Sequence, residues 1–292
     1  PYELDKFLRN YYPDIFWEFE LREKFLNVVR PYGYISLAIV IIIILLGFYL
    51  KKTYLSILGS LSIYIPIFGY FAFAMFFLAG IGILRIIWLP IIELSPEILK
   101  LGHITILPFI ILHNIVSNQY SYAFSISAAI LLIASGLFLF SVGVVTWLYG
   151  KFKGLNIIDF WIYRYIRHPQ YLGFIIWSYG LLILTYFQPH VRGAFSVLPS
   201  LPWLLSVILI ISIALFEERK LVELYSESYI RYVNKTYFML PIPKIVSRML
   251  LYPVKSVLGD FIEDGKSIMA TVLLYTIVAV LLSYILVITY NL

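Results

Sequence analysis

The residues best suited to chemistry lie in a short basic segment, residues 163–173, which reads Tyr-Arg-Tyr-Ile-Arg-His-Pro-Gln-Tyr-Leu-Gly. Proline disfavours helical backbone at the residue before it and suits the first turn of a helix, so Pro169 predicts that a helix begins there. Arg167 and His168 would then lie at the helix N-terminus, beside free backbone N–H groups. This arrangement predicts a binding site for an anion, such as a carboxylate or a phosphate.

Gly173, four residues into that helix, would let another group approach the backbone closely. A plainer interpretation of the segment is a basic cap on a membrane helix, whose arginines reach the lipid headgroups. Such a cap needs only arginine, whereas residues 168–173 have the pattern His-Pro-x-Tyr-x-Gly. We therefore favour the anion site over the cap.

A second polar cluster starts with Glu217 and Glu218 at the end of an apolar stretch, and no glycine or proline follows until Pro241. We expect a helix to continue through the cluster and out of the membrane. One face of that helix would be formed by Glu218, Val222, Tyr225, Tyr229 and Tyr232. Glu217 lies about 100° around the helix axis from Glu218, and Lys220 is its i,i+3 neighbour. Because Glu218 lacks such a partner, we expect it to contact a ligand; a solvated charge run is the alternative.

The composition indicates a lipid environment for the elements that hold these clusters. Of the 292 residues, 62% are hydrophobic and 13% are charged, and the mean hydropathy is +0.91. Soluble domains have about 45–50% apolar residues, so a globular interior could not bury this much apolar surface. Disordered chains, coiled coils, collagen and free nucleic-acid-binding domains are excluded, and no nucleic-acid partner is predicted. The chain has no cysteine, and we predict no metal site.

We predict an all-α, polytopic integral membrane protein with about seven transmembrane helices, because each crossing needs roughly 20 apolar residues. The expected crossings are residues 34–50, 69–89, 104–116, 122–149, 172–187, 202–216 and 266–290. The second crossing belongs to a longer apolar stretch that Pro66 and Gly69 would break. His103, His113 and His190 lie apart from both polar clusters, and we expect structural or interfacial roles for them.

The distribution of positive charge predicts the orientation. With seven crossings and a cytoplasmic N-terminus, most of the 22 lysines and arginines fall on the cytoplasmic side, as the positive-inside rule requires. Both polar clusters then face the cytoplasm. Residues 1–33 would form an amphipathic helix, bent at Pro13, that lies on the inner leaflet. A docking segment for a partner protein is the alternative for this region.

The order and spacing of the two clusters resemble the isoprenylcysteine carboxyl methyltransferase and phospholipid methyltransferase superfamily. The residues that carry the resemblance are Arg167-His168-Pro169-Gln170-Tyr171-Leu172-Gly173, Gly180, Glu217-Glu218-Arg219, Leu221, Tyr229, Tyr232 and Pro241. The match covers about residues 130–243. We therefore divide the chain into an interfacial segment (1–33), N-terminal transmembrane helices (34–121), a methyltransferase core (122–243) and a linker with the last transmembrane helix (244–292).

The resemblance implies an integral membrane methyltransferase that uses S-adenosylmethionine and modifies a carboxyl or amine group of a lipidic or prenylated acceptor. It implies catalytic roles for Arg167, His168 and Glu218. It implies that the cofactor is bound by Tyr163, Arg167, His168, Tyr171, Gly173, Glu217, Glu218, Tyr229 and Tyr232. The arginine and histidine would hold the carboxylate of the cofactor, and the tyrosines its adenine or sulfonium. The active site would face the cytoplasm, beside a tunnel open to membrane lipids.

Three positions depart from the family pattern. The family commonly has Gly-Pro before the tyrosine at 163, where this chain has Trp161-Ile162. A glycine usually follows the aromatic residue after the glutamate pair, where this chain has Ser226. The basic residue expected after Tyr232 is found only at Lys235.

Two rival functions come from other classes. Membrane sterol and isoprenoid reductases, which use NADPH, resemble the same frame but usually have an asparagine after the proline, an acidic residue after the glycine, and an Asp-Glu pair. Gln170, Phe174 and the Glu217-Glu218 pair favour the methyltransferase. A non-catalytic membrane scaffold that retains the fold is the third possibility.

Overall fold

The structure is a computed structural model that describes residues 19–50, 52, 55, 58–59, 89–115, 121–187, 198–240 and 265–290. These residues form helices and no strands, which confirms the all-α prediction for the described part of the chain. The α-helices are α1 (Phe19–Tyr49), α2 (Leu89–Leu94), α3 (Leu107–Ile115), α4 (Ser121–Phe152), α5 (Pro169–Phe187), α6 (Ser200–Lys235) and α7 (Gly265–Tyr290). Two 3-10 helices cover Pro96–Thr105 and Trp161–Arg164.

Four of the described helices contain segments long and apolar enough to cross a membrane. The segments are Arg30–Tyr49, Tyr122–Phe152, Ser200–Lys235 and Ile268–Thr289. A fifth crossing is added if the first 3-10 helix and α3, which meet at a bend of 69°, are counted as one broken span. α5 is shorter, and the expected crossing at residues 69–89 lies outside the described residues. An integral membrane protein is therefore supported, and the count of seven stays a prediction.

The N-terminal boundary differs from the expected one. α1 begins at Phe19, so residues 19–33 continue without a break into the expected first crossing. Pro31 lies inside this helix and does not end it. Residues 1–18, which hold most of the predicted interfacial helix, lie outside the described residues.

α4 and α5 pack closely because glycines face the partner backbone at their contact. A Cβ atom on Gly173 would lie 2.5 Å from the backbone nitrogen of Phe140, and one on Gly180 would lie 2.8 Å from that of Ile133. Gly136 on α4 is equally close to the backbone of Trp177. Small residues at such contacts are typical of helices that associate in lipid. The close approach predicted at Gly173 is therefore made by α4, and the contact of this glycine with a cofactor stays a prediction.

The 3-10 helix at Pro96–Thr105 lies against α6 and α7, which satisfy its polar groups. The Ile104 N–H donates to Ser283 Oγ at 3.1 Å, and His103 Nδ1 lies 2.7 Å from Ser200 Oγ. Gly102 contacts the backbone at Ser200. Irregular backbone at membrane depth persists where protein groups replace water as hydrogen-bond partners, and these contacts do so.

The two described histidines outside the predicted site join helices. His103 is buried beside Ser200 at the start of α6, and His113 Nδ1 lies 2.6 Å from Ser125 Oγ of α4. Both contacts fit the structural roles expected from the sequence. His190 lies outside the described residues.

α6 breaks at Ser226 and continues in a new direction. Ser226 has φ 44° and ψ −123°, a conformation that glycine adopts more readily than serine. Trp161 also has a positive φ, 49°, and its ring stacks on Tyr149 at 5.4 Å. These are the non-glycine residues with positive φ in the described ranges. The break at Ser226 sets the direction of the last helical turns, which hold Tyr229 and Tyr232.

The strain at Ser226 predicts that Ser226→Gly stabilises the protein. Relief of the positive φ contributes about 1–3 kcal/mol, and the greater freedom of glycine in the unfolded chain costs about 0.5–1 kcal/mol. A net gain of about 1 kcal/mol should raise the thermal unfolding midpoint in detergent. Ser135→Gly, at an exposed position within regular helix α4, is the control and should lower the midpoint. A lower midpoint for Ser226→Gly would contradict the assignment of strain.

Candidate functional site

The turn before α5 is held against the segment that follows α6. The backbone N–H groups of Arg167 and His168 donate to the carbonyls of Tyr237 (2.9 Å) and Phe238 (3.2 Å). The His168 carbonyl accepts the first helical hydrogen bond of α5, from the Leu172 N–H at 3.0 Å. The helix start predicted at Pro169 is therefore confirmed. The N-terminal turn of α5 and the end of α6 form one local unit.

Arg167 and Glu218 form a nearly buried ion pair across this unit. Nε of Arg167 donates to Oε1 of Glu218, and Nη2 donates to Oε2 at 3.2 Å. Nη1 donates to two backbone carbonyls at the end of α6, those of Val233 (3.1 Å) and Thr236 (2.5 Å). The side chains are 9% and 15% exposed. The guanidinium therefore joins α5 to α6 on both sides of the break at Ser226.

His168 completes the environment of the Glu218 carboxylate. Its Nε2 lies 3.1 Å from Oε1 of Glu218. The imidazole stacks on Tyr171 at 5.6 Å and meets Phe238 edge-on at 5.1 Å. The ring is thus fixed by two aromatic side chains and one carboxylate, and it is buried.

These contacts change the predicted roles of Glu218, Arg167 and His168. The carboxylate of Glu218 occupies the position beside Arg167 and His168 that the sequence assigned to a ligand anion. Glu218 has no partner on its own helix, as expected, but it has two partners 50 and 51 residues earlier in the chain. In this structure Glu218 is therefore the internal counter-ion of Arg167, a role that the sequence did not predict.

A cavity of about 320 Å³ lies where α4, α5, α6 and the loop after α4 meet. Its walls combine aromatic rings, three acid or amide groups and basic side chains. The lining residues are Trp147, Lys151, Asn156, Ile157, Ile158, Tyr163, Arg167, His168, Gln170, Tyr171, Glu217, Leu221, Tyr229 and Tyr232. This volume is within the range of about 300–1,000 Å³ that is typical of small-molecule sites.

Seven of the nine predicted cofactor residues line this cavity, and Gly173 and Glu218 do not. The seven are Tyr163, Arg167, His168, Tyr171, Glu217, Tyr229 and Tyr232. Glu217 accepts a hydrogen bond from the Tyr171 hydroxyl at 2.9 Å. The acidic side chain that lines the cavity is therefore Glu217 and not Glu218, the glutamate that the sequence favours for a ligand contact.

The tyrosines of the cavity are fixed by contacts between elements. The Tyr232 hydroxyl donates to the carbonyl of Tyr163 at 2.7 Å, and the rings of Tyr229 and Tyr232 lie 5.7 Å apart. Burial, together with nearby Tyr232 and Glu217, raises the pKa of Tyr163 well above its usual value. The phenol of Tyr163 therefore stays neutral at physiological pH and presents a hydroxyl rather than a phenolate.

The sequence did not single out several lining residues, above all Lys151, Trp147 and Asn156. The Lys151 ammonium lies 5.9 Å from the centre of the Trp147 ring, one helical turn earlier. The four-residue spacing from tryptophan to lysine could have indicated this pair. In the sequence analysis Lys151 entered only as one of the positive charges that predict the orientation of the chain in the membrane.

Comparisons of this chain with family models, with curated proteins and with solved structures gave no match. The geometry of the cavity and the chemistry of its residues therefore carry the functional proposal.

The Arg167–Glu218 pair predicts a large loss of stability in Glu218→Gln. Removal of one charge leaves the other buried without its partner, which costs about 3–5 kcal/mol in comparable pairs. Glu223→Gln is the matched control, because Glu223 pairs with Arg219 at 3.1 Å on the exposed side of the same helix. That change should cost less than about 1 kcal/mol. Thermal unfolding of the two purified variants measures both effects, and equal losses would contradict the structural role of Glu218.

Proposed function

We propose that the chain is an integral membrane methyltransferase that moves a methyl group from S-adenosylmethionine to a lipidic or prenylated acceptor, on a carboxyl or an amine group. The observation that carries the proposal is the composition of the cavity. Two clusters lie about 50 residues apart in the sequence, and their pattern resembles one methyltransferase superfamily. Together they contribute seven of the nine predicted cofactor residues to one cavity of small-molecule size.

The backbone supports the same proposal at two further positions. Trp161 and Ser226 have positive φ angles, a conformation that favours glycine. These are the two positions at which the superfamily commonly has glycine and this chain does not. At both positions the backbone therefore has a conformation that favours glycine, which supports the resemblance to the superfamily.

The residues of the cavity suit the chemical groups of S-adenosylmethionine. The faces of Trp147, Tyr163, Tyr171, Tyr229 and Tyr232 provide aromatic surface for adenine and for a sulfonium cation. Glu217 provides an acceptor for an ammonium or for hydroxyls. The volume of about 320 Å³ favours a ligand with one nucleoside over NADPH, which has two. This size is the argument against the reductase.

Catalysis in this site would consist of alignment and exclusion of water. When bound, S-adenosylmethionine would supply a methyl group that its sulfonium sulfur activates toward the lone pair of the acceptor. The chain's own residues hold both reactants in line, which contributes about 7–11 kcal/mol in favourable cases. The pair of Arg167 with Glu218 and the hydrogen bond from Tyr171 to Glu217 fix the walls before any ligand enters. Arg167 and His168 thus position other groups rather than act as an acid or a base.

We expect S-adenosylhomocysteine, the product of the donor, to raise the thermal unfolding midpoint of the purified protein. A ligand present at 100 times its Kd stabilises the folded state by about 2.7 kcal/mol. NADPH at the same concentration should give no rise, and a rise with NADPH alone would favour the reductase. Glu217→Gln should reduce the effect of S-adenosylhomocysteine, whereas Glu223→Gln, outside the cavity, should preserve it. The scaffold alternative predicts that neither ligand has an effect and that no labelled methyl group from S-adenosylmethionine enters membrane lipid.

The proposal includes about seven crossings, a cytoplasmic N-terminus and a cavity that opens to the cytoplasm. Because the chain has no cysteine, single cysteines can test this orientation without background. Cysteines placed at Asn156 and Asn234, which are both exposed, should react with an impermeant thiol reagent only when the cytoplasmic face is accessible. Labelling of either position from outside intact cells would reverse the orientation. Ser121→Cys, at the opposite end of α4 from the cavity, should give the reverse pattern.

A further inference from the structure

The carboxylate of an amino-acid ligand needs a cation, and Arg167 has little capacity left to provide one. Four hydrogen bonds already connect its guanidinium to Glu218 and to the carbonyls of Val233 and Thr236. Glu218 also neutralises its charge. His168 directs Nε2 at the same carboxylate. The cavity therefore needs another cationic residue if it is to bind an anionic group.

Lys151 is the lining residue that can provide this cation. It lies in the last turn of α4, and its ammonium is held 5.9 Å from the centre of the Trp147 ring. In the described part of the chain, no carboxylate forms an ion pair with Lys151. Its side chain is exposed at the opening of the cavity. An anionic group that enters the cavity can thus pair with Lys151 without displacing an internal partner.

Glu217 gives the same cavity an opposite charge. Its carboxylate faces the cavity from α6, and the hydroxyl of Tyr171 fixes one of its oxygens at 2.9 Å. Lys151 on α4 and Glu217 on α6 therefore present one cation and one anion from different walls. This charge pattern is complementary to a zwitterion, the α-amino-acid group in which a carboxylate and an ammonium share one carbon.

We propose that Lys151 binds the α-carboxylate, and Glu217 the α-ammonium, of the amino-acid portion of the methyl donor. This assignment rests on the proposed function and makes it more specific. It moves the recognition of the carboxylate from the Arg167–His168 turn to the end of α4. It also gives Trp147 a role, because its ring holds the lysine ammonium at the cavity opening.

Truncated ligands separate these two contacts in a binding experiment that needs no acceptor. The probes are S-adenosylhomocysteine, its decarboxylated analogue, which keeps the amine, and 5′-methylthioadenosine, which has neither group. Lys151→Gln should weaken the binding of S-adenosylhomocysteine by about tenfold, the scale of one charge-assisted hydrogen bond. The affinities of the other two probes should stay unchanged or increase. Glu217→Gln should weaken the binding of both amine-bearing probes and leave the affinity for 5′-methylthioadenosine unchanged. Isothermal titration of the full-length protein in detergent measures all these affinities.

Lys153→Gln is the matched control, because Lys153 lies two residues further along, with its ammonium 5.7 Å from the Tyr149 ring, and does not line the cavity. It should leave all three affinities unchanged, and Lys151→Arg should keep most of the affinity for S-adenosylhomocysteine. Equal weakening of all three probes by Lys151→Gln would overturn the assignment, since Lys151 would then shape the cavity. Unchanged affinity for S-adenosylhomocysteine in Lys151→Gln would overturn it too, with the methyltransferase proposal intact. If the wild-type protein binds none of the probes, the proposed function fails as well.

Discussion

Arg167 and Glu218 are charges from segments 51 residues apart, and each can be buried only because the other is present. The same guanidinium also binds two carbonyls beyond the break in α6. One residue therefore fixes the start of α5, the middle of α6 and the end of α6 relative to one another. The cavity lies between these segments, so its shape follows from the geometry of this pair.

The glycine contacts between α4 and α5 have a complementary effect on the cavity. Lipid gives no hydrophobic drive for helices to associate, so close backbone packing at Gly136, Gly173 and Gly180 has to supply the contact. These glycine contacts lie within the apolar parts of α4 and α5. The polar residues of the cavity lie beyond them, at the end of α4 and the start of α5. Close packing in the apolar part thus brings Trp147 and Lys151 near the Arg167 turn. The polar site is positioned by residues that have no chemical role in it.

The sequence predicted what depends on local rules and missed what depends on distant contacts. Pro169 correctly placed the start of α5, because the restrictions of proline act on adjacent residues. Seven of the nine residues that the sequence predicts to bind a cofactor line one cavity, and the signal that singled them out was their clustering in two polar segments. The contacts of Glu218 with Arg167 and His168 were missed because a search for i,i+3 neighbours cannot identify a partner on another element, and because Ser226 interrupts the helical face that linked Glu218 to Tyr229. Serine gives no signal for such a break, whereas glycine would have.

The hydrogen bond from Ile104 to Ser283 has a consequence for biosynthesis. The two residues are separated by 179 positions, so Ile104 is synthesised long before its acceptor exists. An unpaired N–H in hydrocarbon costs several kcal/mol, which keeps the 3-10 helix from settling in its final place until α7 has been inserted. Until α7 is in place, the Ile104 N–H needs another acceptor, such as water or a different protein group. Truncation before α7 would thus remove the acceptor of the Ile104 N–H and leave the 3-10 helix without this contact.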